Sequence, residues 1–332
     1  MEENTQKALA AMLADDEAKV VDIAPGLTAE EMKSVFFDAD ALKEPPYRLY
    51  QLNGEGHRYY YVFEDGEPVF FPSVTTLLRQ TMPTSPFLIK WMVENGDAAT
   101  EKRDMAAAYG TLMHAEIEKL LIGRSYDLDK VPEVVQAYME SENIADKYFF
   151  DWAPKLRKDL LAFAQFAKDW QVKPMAVEIS LYHPDYRYAG CIDLPCWLTD
   201  KKGNTFPAIV DFKSGRKGFW EEHELQLELY RMMWNKAYPE CEVERIFNWS
   251  PKDWRTSPTY NFKEQTDSPN LAKVPYILGL AQIEDDKREN NVTFCEGVID
   301  LDGDLSGNYK TMSLAELVKA KGEAATPDNG QN

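Results

Sequence analysis

A carboxylate and an ammonium lie two residues apart in the segment 208–215, whose sequence is AIVDFKSG. Side chains alternate along a β-strand, so Asp211 and Lys213 should share one face while Phe212 points into the core. Asp211 can bind a divalent cation, and Lys213 can orient a water or offset negative charge that develops on a phosphate. The pair predicts metal-assisted hydrolysis; the alternative is a surface ion pair that contributes less than about 1 kcal/mol.

A second carboxylate, Asp193, lies 18 residues before Asp211, between Ile192 and Leu194. A carboxylate with apolar neighbours is costly to bury without a partner, which favours a metal ligand. The short turn between the two segments predicts antiparallel neighbouring strands, so both carboxylates can reach one ion. Oxygen ligands suit Mg²⁺ or Mn²⁺. Glu178, on the strand before, is either a third ligand or a solvated strand residue.

Two predicted helices carry further candidates. His114 and Glu118 are four residues apart and share a helix face. His114 is a candidate metal ligand or a hydrogen-bonded helix histidine, and Glu118 is a candidate ligand or a surface acid. On a later helix, His223, Gln226 and Tyr230 form one stripe that either contacts the substrate or packs over the core.

Basic residues are predicted near the strand ends, and they are Arg187, Lys201, Lys202, Arg216 and Lys217. Trp220 follows closely. Together they are compatible with a groove that binds phosphates and has an aromatic platform, or with ordinary solvated turns.

The elements that must position these side chains can be read from the hydrophobic pattern. Strands are predicted at 47–52, 59–63, 70–75, 175–182, 188–198, 206–213 and 243–249. Helices are predicted at 6–13, 28–37, 85–121, 152–170 and 220–236, and a long surface loop at 250–270. The pattern predicts an acidic N-terminal arm (1–45), a main domain (46–315, with its motif core at 105–250) and a disordered tail (316–332).

The formal net charge of −19 is concentrated at the two ends of the chain. Residues 1–45 carry −7 and residues 284–332 carry −6, which leaves −6 for the rest. This distribution disfavours broad non-specific binding to nucleic acid but allows a local basic groove beside metal ions. No apolar run is long enough for a membrane span, and the first residues lack a secretory signal, so we expect no membrane association and a cytoplasmic location.

The four cysteines, Cys191, Cys196, Cys241 and Cys295, contain no C-x-x-C pair. This spacing disfavours a zinc or iron–sulfur site and predicts free thiols.

Four motifs follow one another in the chain: Gly110-Thr-x-x-His114-x-x-x-Glu118, Gly190-x-x-Asp193, Asp211-x-Lys213 and Gln226-Leu-x-x-Tyr230. Their order and spacing resemble those of RecB-type nucleases in the PD-(D/E)XK superfamily. This superfamily includes phage exonucleases and the CRISPR-associated nuclease with a RecB-like domain. The resemblance covers about residues 105–235, and the segment 72–76 also resembles an entry segment of phage members.

The resemblance implies a restriction-endonuclease-like α/β fold, with a mixed central sheet flanked by helices and with helical N-terminal additions. It implies that His114, Asp193, Asp211 and the Phe212 carbonyl bind one or two Mg²⁺ or Mn²⁺ ions, and that Lys213 is catalytic. Gln226 and Tyr230 would form the trailing motif.

The implied function is an exonuclease that acts on DNA ends in recombination, repair or phage DNA processing, with DNA and a recombination or replication protein as partners. An endonuclease of the same fold is one alternative, and a non-catalytic subunit that binds DNA or protein is another. The sequence departs from some relatives because it lacks the cysteines of an iron–sulfur cluster, and its acidity is unusual for a DNA enzyme.

Overall fold

The structure is a computed structural model that describes residues 20–23, 47, 49–54, 57–65, 67–285, 291–295, 301, 304–313 and 315–316. The predicted helices at 6–13 and 28–37 and nearly all of the predicted tail lie outside these residues. None of the helices described has the length and apolar character needed to cross a membrane.

The strands are β1 (Val20–Ile23), β2 (Leu49–Gly54), β3 (His57–Glu64), β4 (Glu67–Pro72), β5 (Lys173–Pro174), β6 (Ile179–His183), β7 (Tyr188–Ile192), β8 (Leu194–Thr199), β9 (Thr205–Phe212), β10 (Arg245–Pro251), β11 (Tyr260–Glu264), β12 (Asn291–Cys295) and β13 (Tyr309–Ser313). The helices are α1 (Val74–Thr81), α2 (Pro86–Asn95), α3 (Ala98–Gly123), α4 (Val131–Ser141), α5 (Phe149–Asp169), α6 (Glu221–Ala237) and α7 (Val274–Asp285).

The central sheet has the strand order β11-β10-β9-β8-β5. β9 and β10 are parallel, whereas β8 is antiparallel to β9 and β11 is antiparallel to β10. The sheet is therefore mixed, and the predicted antiparallel pairing of the two carboxylate-bearing segments is confirmed. Strands β1 to β4 form a separate antiparallel sheet, and β6 pairs with β7.

Helices cover both faces of the central sheet. Val210 and Phe212 pack on the face that α3, α4 and α5 cover. Ile209 points to the opposite face and packs with residues of α6. Because side chains alternate along a strand, Asp211 and Lys213 also lie on the α6 side. The predicted α/β fold, a mixed central sheet flanked by helices, is confirmed.

Several predicted boundaries differ from the structure. The predicted surface loop at 250–270 contains β11, whose Phe262 ring stacks 4.7 Å from that of Phe247 on β10. The predicted helix at 85–121 is two helices, because Gly96 adopts a φ of +52° and ends α2. The predicted strand at 188–198 is divided at Asp193, which lies in a bend between β7 and β8.

Gly190 explains why one motif begins with glycine. A Cβ atom at this position would lie 2.9 Å from Cε1 of Tyr230, 3.3 Å from Cγ2 of Val74 and 3.4 Å from Cε of Met233. These three side chains are buried, so none can move aside without disturbing the core. The glycine therefore allows α1 and α6 to pack closely on β7.

We predict that Gly190→Ala lowers the free energy of unfolding by about 1–3 kcal/mol, because the added methyl group overpacks the core. Denaturant unfolding would measure this loss. Gly279→Ala in α7 is the matched control, since nothing lies within 4 Å of its added Cβ. That control should stabilise the protein by up to about 1 kcal/mol. Equal unfolding midpoints for Gly190→Ala and the wild type would contradict the prediction.

Candidate active site

Asp193 links three parts of the fold. Its side chain is buried, and its Oδ2 accepts a 2.6 Å hydrogen bond from the main-chain N–H of Phe212 on β9. Its main-chain oxygen accepts a 2.9 Å hydrogen bond from the N–H of Glu178. These contacts fix the bend between β7 and β8 and aim the remaining carboxylate oxygen toward α3.

His114, Glu178 and Asp193 converge on one point. Nδ1 of His114 lies 3.4 Å from Oε1 of Glu178 and 3.6 Å from Oδ1 of Asp193. The three candidate ligand atoms all lie within 4.8 Å of one another. Oε1 of Glu178 is buried and takes part in no hydrogen bond with the described residues, and Glu178 has a strained φ of +51°.

This donor set fits a divalent metal ion. An unsatisfied buried carboxylate oxygen is costly unless a cation or a donor lies beside it. One imidazole nitrogen and two carboxylate groups suit Mg²⁺ or Mn²⁺ as an oxygen-rich site. The structure thus brings together two predicted ligands, His114 and Asp193, with Glu178, which the sequence left open between ligand and solvated residue.

Lys213 lies beside this group rather than in solvent. Its Nζ is 2.8 Å from Oδ2 of Asp211 and donates a 2.9 Å hydrogen bond to Oε1 of Gln226. Nε2 of Gln226 in turn donates a 2.7 Å hydrogen bond to the hydroxyl of Tyr230. The trailing motif on α6 therefore holds the lysine side chain in place.

Asp211 is surrounded by donors and lies outside the three-residue group. Its side chain is buried, and Nδ2 of Asn248 donates a 2.8 Å hydrogen bond to its Oδ2. Nε2 of Gln265 donates a 3.1 Å hydrogen bond to Oδ1 of Asn248, which orients that amide. Burial raises the pKa of Asp211, and the adjacent Lys213 partly offsets this effect.

Asn248 and Gln265 are contacts of the site that the sequence analysis missed. Asn248 lies on β10 directly beside Asp211, at a parallel strand position. A buried asparagine within the apolar run IFNW was the available signal, because a buried amide needs a partner.

The other predicted site residues are placed differently. Nδ1 of His223 accepts a 3.2 Å hydrogen bond from the N–H of Trp220, and burial lowers the pKa of His223 to about 3. Arg216 forms ion pairs with Asp159 (2.7 Å) and Asp253 (2.8 Å). Lys217 is exposed. Glu118 is half-buried, and burial together with the nearby Glu178 carboxylate raises its pKa.

A cavity of about 610 Å³ opens beside Lys213, which is one of its lining residues. Polar side chains line part of it, among them those of Thr75, Arg79 and His223. Apolar side chains, including those of Met82 and Leu88, line the rest. A cavity of this kind can receive a substrate with a charged part and an apolar part.

We predict that the metal-free protein loses stability as the pH rises from 6.5 to 10. Burial disfavours the charged form of His114, but the carboxylates of Asp193 and Glu178 outweigh it and raise the pKa of His114 to about 10. A pKa raised above its ordinary value of 6.5 contributes stability that is complete below pH 6.5 and is lost through pH 10. Thermal unfolding in a chelator would measure the loss, and His114→Gln should flatten it.

Divalent ions should act in the opposite direction. A metal ion competes with the proton on His114, so stabilisation by Mn²⁺ should grow as the pH rises. A pH profile of His114→Gln that has the same slope as that of the wild type would contradict the pKa assignment.

Residues 87–292, more than half of the chain, match the PD-(D/E)XK nuclease superfamily. Among curated proteins, none matches this sequence. A candidate exonuclease from Eubacterium rectale is 14% identical over 52% of this chain and 74% of its own, with a TM-score of 0.29. The protein SSO0001 is 12% identical over 53% of this chain and 85% of its own, with a TM-score of 0.25. These two structures have low TM-scores, and nothing about activity is inferred from them.

The superfamily match covers more than half of the chain, and the mixed sheet with its carboxylates agrees with it. The chain therefore belongs to the PD-(D/E)XK nuclease superfamily.

Proposed function

We propose that the chain is a metal-dependent deoxyribonuclease that acts as an exonuclease on DNA ends in recombination, repair or phage DNA processing. The observation that supports this most directly is the position of Lys213. Its ammonium lies 2.8 Å from Asp211, and beside this pair His114, Glu178 and Asp193 offer a metal-binding group. Membership of a nuclease superfamily makes the phosphodiester bond the expected target.

His114, Glu178 and Asp193 would hold the Mg²⁺ or Mn²⁺ ion, and Asp211 with the Phe212 carbonyl would contribute further oxygen ligands. When bound, such an ion polarises the phosphate and lowers the pKa of a water molecule. The carboxylates of the site would repel the negatively charged DNA backbone. The metal ion and Lys213 would both offset this repulsion, so that a phosphate can bind.

Lys213 would orient the reacting groups and stabilise the negative charge that develops on the phosphate. Its ammonium donates hydrogen bonds, so it can fix the attacking water or a phosphate oxygen on which negative charge develops. Gln226 accepts one of its three hydrogens, and Tyr230 fixes Gln226. This chain of contacts reduces the freedom of a flexible lysine before the substrate arrives.

The exonuclease assignment rests on the resemblance to RecB-type and phage enzymes, and an endonuclease of the same fold is the first alternative. A non-catalytic subunit is the second, and the arrangement of Lys213, Asp211 and His114 argues against it. Because the net charge is −19, we propose that a recombination or replication protein assists binding to DNA. We further propose a cytoplasmic location.

Cleavage of end-labelled linear DNA tests this proposal. Wild-type protein should degrade the DNA in Mg²⁺ or Mn²⁺, and EDTA should stop the reaction. Lys213→Ala protein purified in parallel should cleave at least about 100-fold more slowly, which excludes a contaminating nuclease. An exonuclease should leave a closed circular substrate intact, whereas an endonuclease should open it. DNA that is bound but never cleaved, with either metal, would favour the non-catalytic alternative.

A further inference from the structure

Helix α2 exposes its apolar side chains. None of its residues is buried, although the helix is predominantly apolar. Phe87 is 74% exposed and Val93 is 77% exposed, and Leu88, Ile89 and Met92 are exposed as well. A contiguous apolar surface of this kind is typical of a binding site.

A second exposed aromatic ring faces this helix. Trp220, just before α6, is 52% exposed. Its ring centroid lies 6.4 Å from that of Phe87, and the two ring planes differ by 30°. A flat aromatic group held between two rings needs a separation of about 7 Å, because each contact between stacked carbons takes roughly 3.5 Å. Side-chain rotations that bring the two ring planes parallel and about 7 Å apart would let the pair accept one planar base.

The ring pair adjoins the cavity beside Lys213. Leu88, the neighbour of Phe87, lines that cavity, and so do Glu222 and His223, which follow Trp220 on α6. Lys213 lines the same cavity. A strand whose phosphate reaches Lys213 can therefore place a neighbouring nucleotide between the two rings.

We propose that Phe87 and Trp220 form an aromatic clamp that stacks on one unpaired nucleobase of the substrate strand. This proposal rests on the proposed function and deepens it by naming the substrate as a single-stranded or frayed DNA end. A base inside an intact duplex is already stacked on its neighbours, so it must be unstacked before it can enter the clamp. Stacking on protein aromatics tolerates any base, so the clamp discriminates strandedness rather than sequence.

The test measures binding without cleavage. In the Lys213→Ala background, without a divalent metal, fluorescence anisotropy gives the Kd of a labelled single-stranded oligonucleotide and of a duplex closed by hairpins at both ends. We expect Phe87→Ala and Trp220→Ala each to weaken binding of the single strand by about tenfold, as the loss of one stacked base does. Trp220→Phe should retain most of the affinity. Binding of the closed duplex should change by less than twofold.

An abasic oligonucleotide makes the test specific. Scanning one abasic position along the strand should identify a nucleotide whose missing base weakens binding to the parent protein by about tenfold. In Trp220→Ala the same abasic site should weaken binding clearly less than in the parent protein, since the two changes remove a shared stacking contact and are not additive. If, at every position of the abasic site, the losses of affinity from the abasic site and from Trp220→Ala are fully additive, the clamp proposal is wrong.

Phe150→Ala is the matched control, because Phe150 is an exposed phenylalanine (84%) on a different helix. An equal loss of affinity in this control would overturn the proposal. Sedimentation should show the same oligomeric state for the parent protein and Phe87→Ala; a dimer that dissociates in the variant would assign the apolar surface to a second copy of the chain. If the wild-type protein binds through the two rings but cleaves no DNA, the clamp is supported and the nuclease proposal is wrong. If the protein cleaves DNA, but neither ring affects cleavage or binding, the nuclease proposal is supported and the clamp is wrong.

Discussion

Lys213→Ala is expected to slow DNA cleavage by about 10²- to 10³-fold, the loss typical when one group that stabilises developing charge is removed. The ammonium of Lys213 is the cation that the structure places beside Asp211 and next to the candidate metal ligands. Single-turnover cleavage of labelled DNA at saturating Mg²⁺ would measure the change. Lys168→Ala is the matched control, because Lys168 is an exposed lysine on α5, which covers the face of the central sheet opposite Lys213. It should cleave DNA within about twofold of the wild-type rate, since a surface lysine contributes little to the reaction.

The loss in Lys213→Ala must be separated from loss of structure. Removing Lys213 leaves the carboxylate of Asp211 buried without its cation, which should cost about 1.5–3 kcal/mol of stability. Asp211→Asn in the same chain removes that uncompensated charge, so the double variant should recover stability but not activity. A double variant that regains cleavage would show that the lysine only balances charge, and would contradict its catalytic role.

The position of Asp211 and Lys213 shows what a short sequence pattern can predict. Strand periodicity alone places them on one face, and the structure has both on the α6 side, where Lys213 meets Gln226. The apolar residues before them predict a buried strand, and β9 is buried over its last residues. Local patterning was sufficient here because strand geometry determines the direction of each side chain.

The hydrogen-bond partners of Asp211 could be identified only from the tertiary structure. Asn248 lies 37 residues away, and it reaches Asp211 because β10 runs parallel to β9 in one particular register. A parallel pair is joined by a long crossover, here through α6, so no turn fixes the register in the sequence. Gln265 follows β11, within the segment that the sequence predicts to be a loop, and could not be assigned to the site.

Arg216 shows that the partner of a charged residue cannot be predicted from the sequence around it. Its proximity to Lys213 in the sequence suggests a contact with substrate phosphate. In the structure, its guanidinium pairs with Asp159 on α5, and the hydroxyl of Tyr109 donates a 2.7 Å hydrogen bond to the same carboxylate. Asp159 lies 57 residues before Arg216, so nothing local to either residue predicts the pair. A phosphate contact at Arg216 remains a prediction.

The largest loss of activity is expected from replacement of Asp193. Both Asp193→Asn and Asp193→Ala remove a charged candidate ligand, and we expect each to reduce cleavage by about 10³-fold or more, equivalent to about 4 kcal/mol of transition-state stabilisation. Calorimetric titration with Mn²⁺ should show weaker binding in both variants. Glu240→Gln, which changes an exposed acid, is the control for a simple change in net charge.

The two substitutions at Asp193 should differ in stability, and this difference separates the structural role from the electrostatic one. The asparagine oxygen can still accept the hydrogen bond from the Phe212 N–H, whereas alanine leaves that buried donor unsatisfied at a cost of about 1–3 kcal/mol. Both changes also remove a charge that raises the pKa of His114, so its pKa, followed by NMR, should fall toward 6.5. Asp193→Asn with wild-type cleavage would show that the charge of this carboxylate is not needed. Because alanine offers no ligand atom at all, Asp193→Ala with wild-type cleavage and Mn²⁺ binding would remove the basis for placing the metal at this bend.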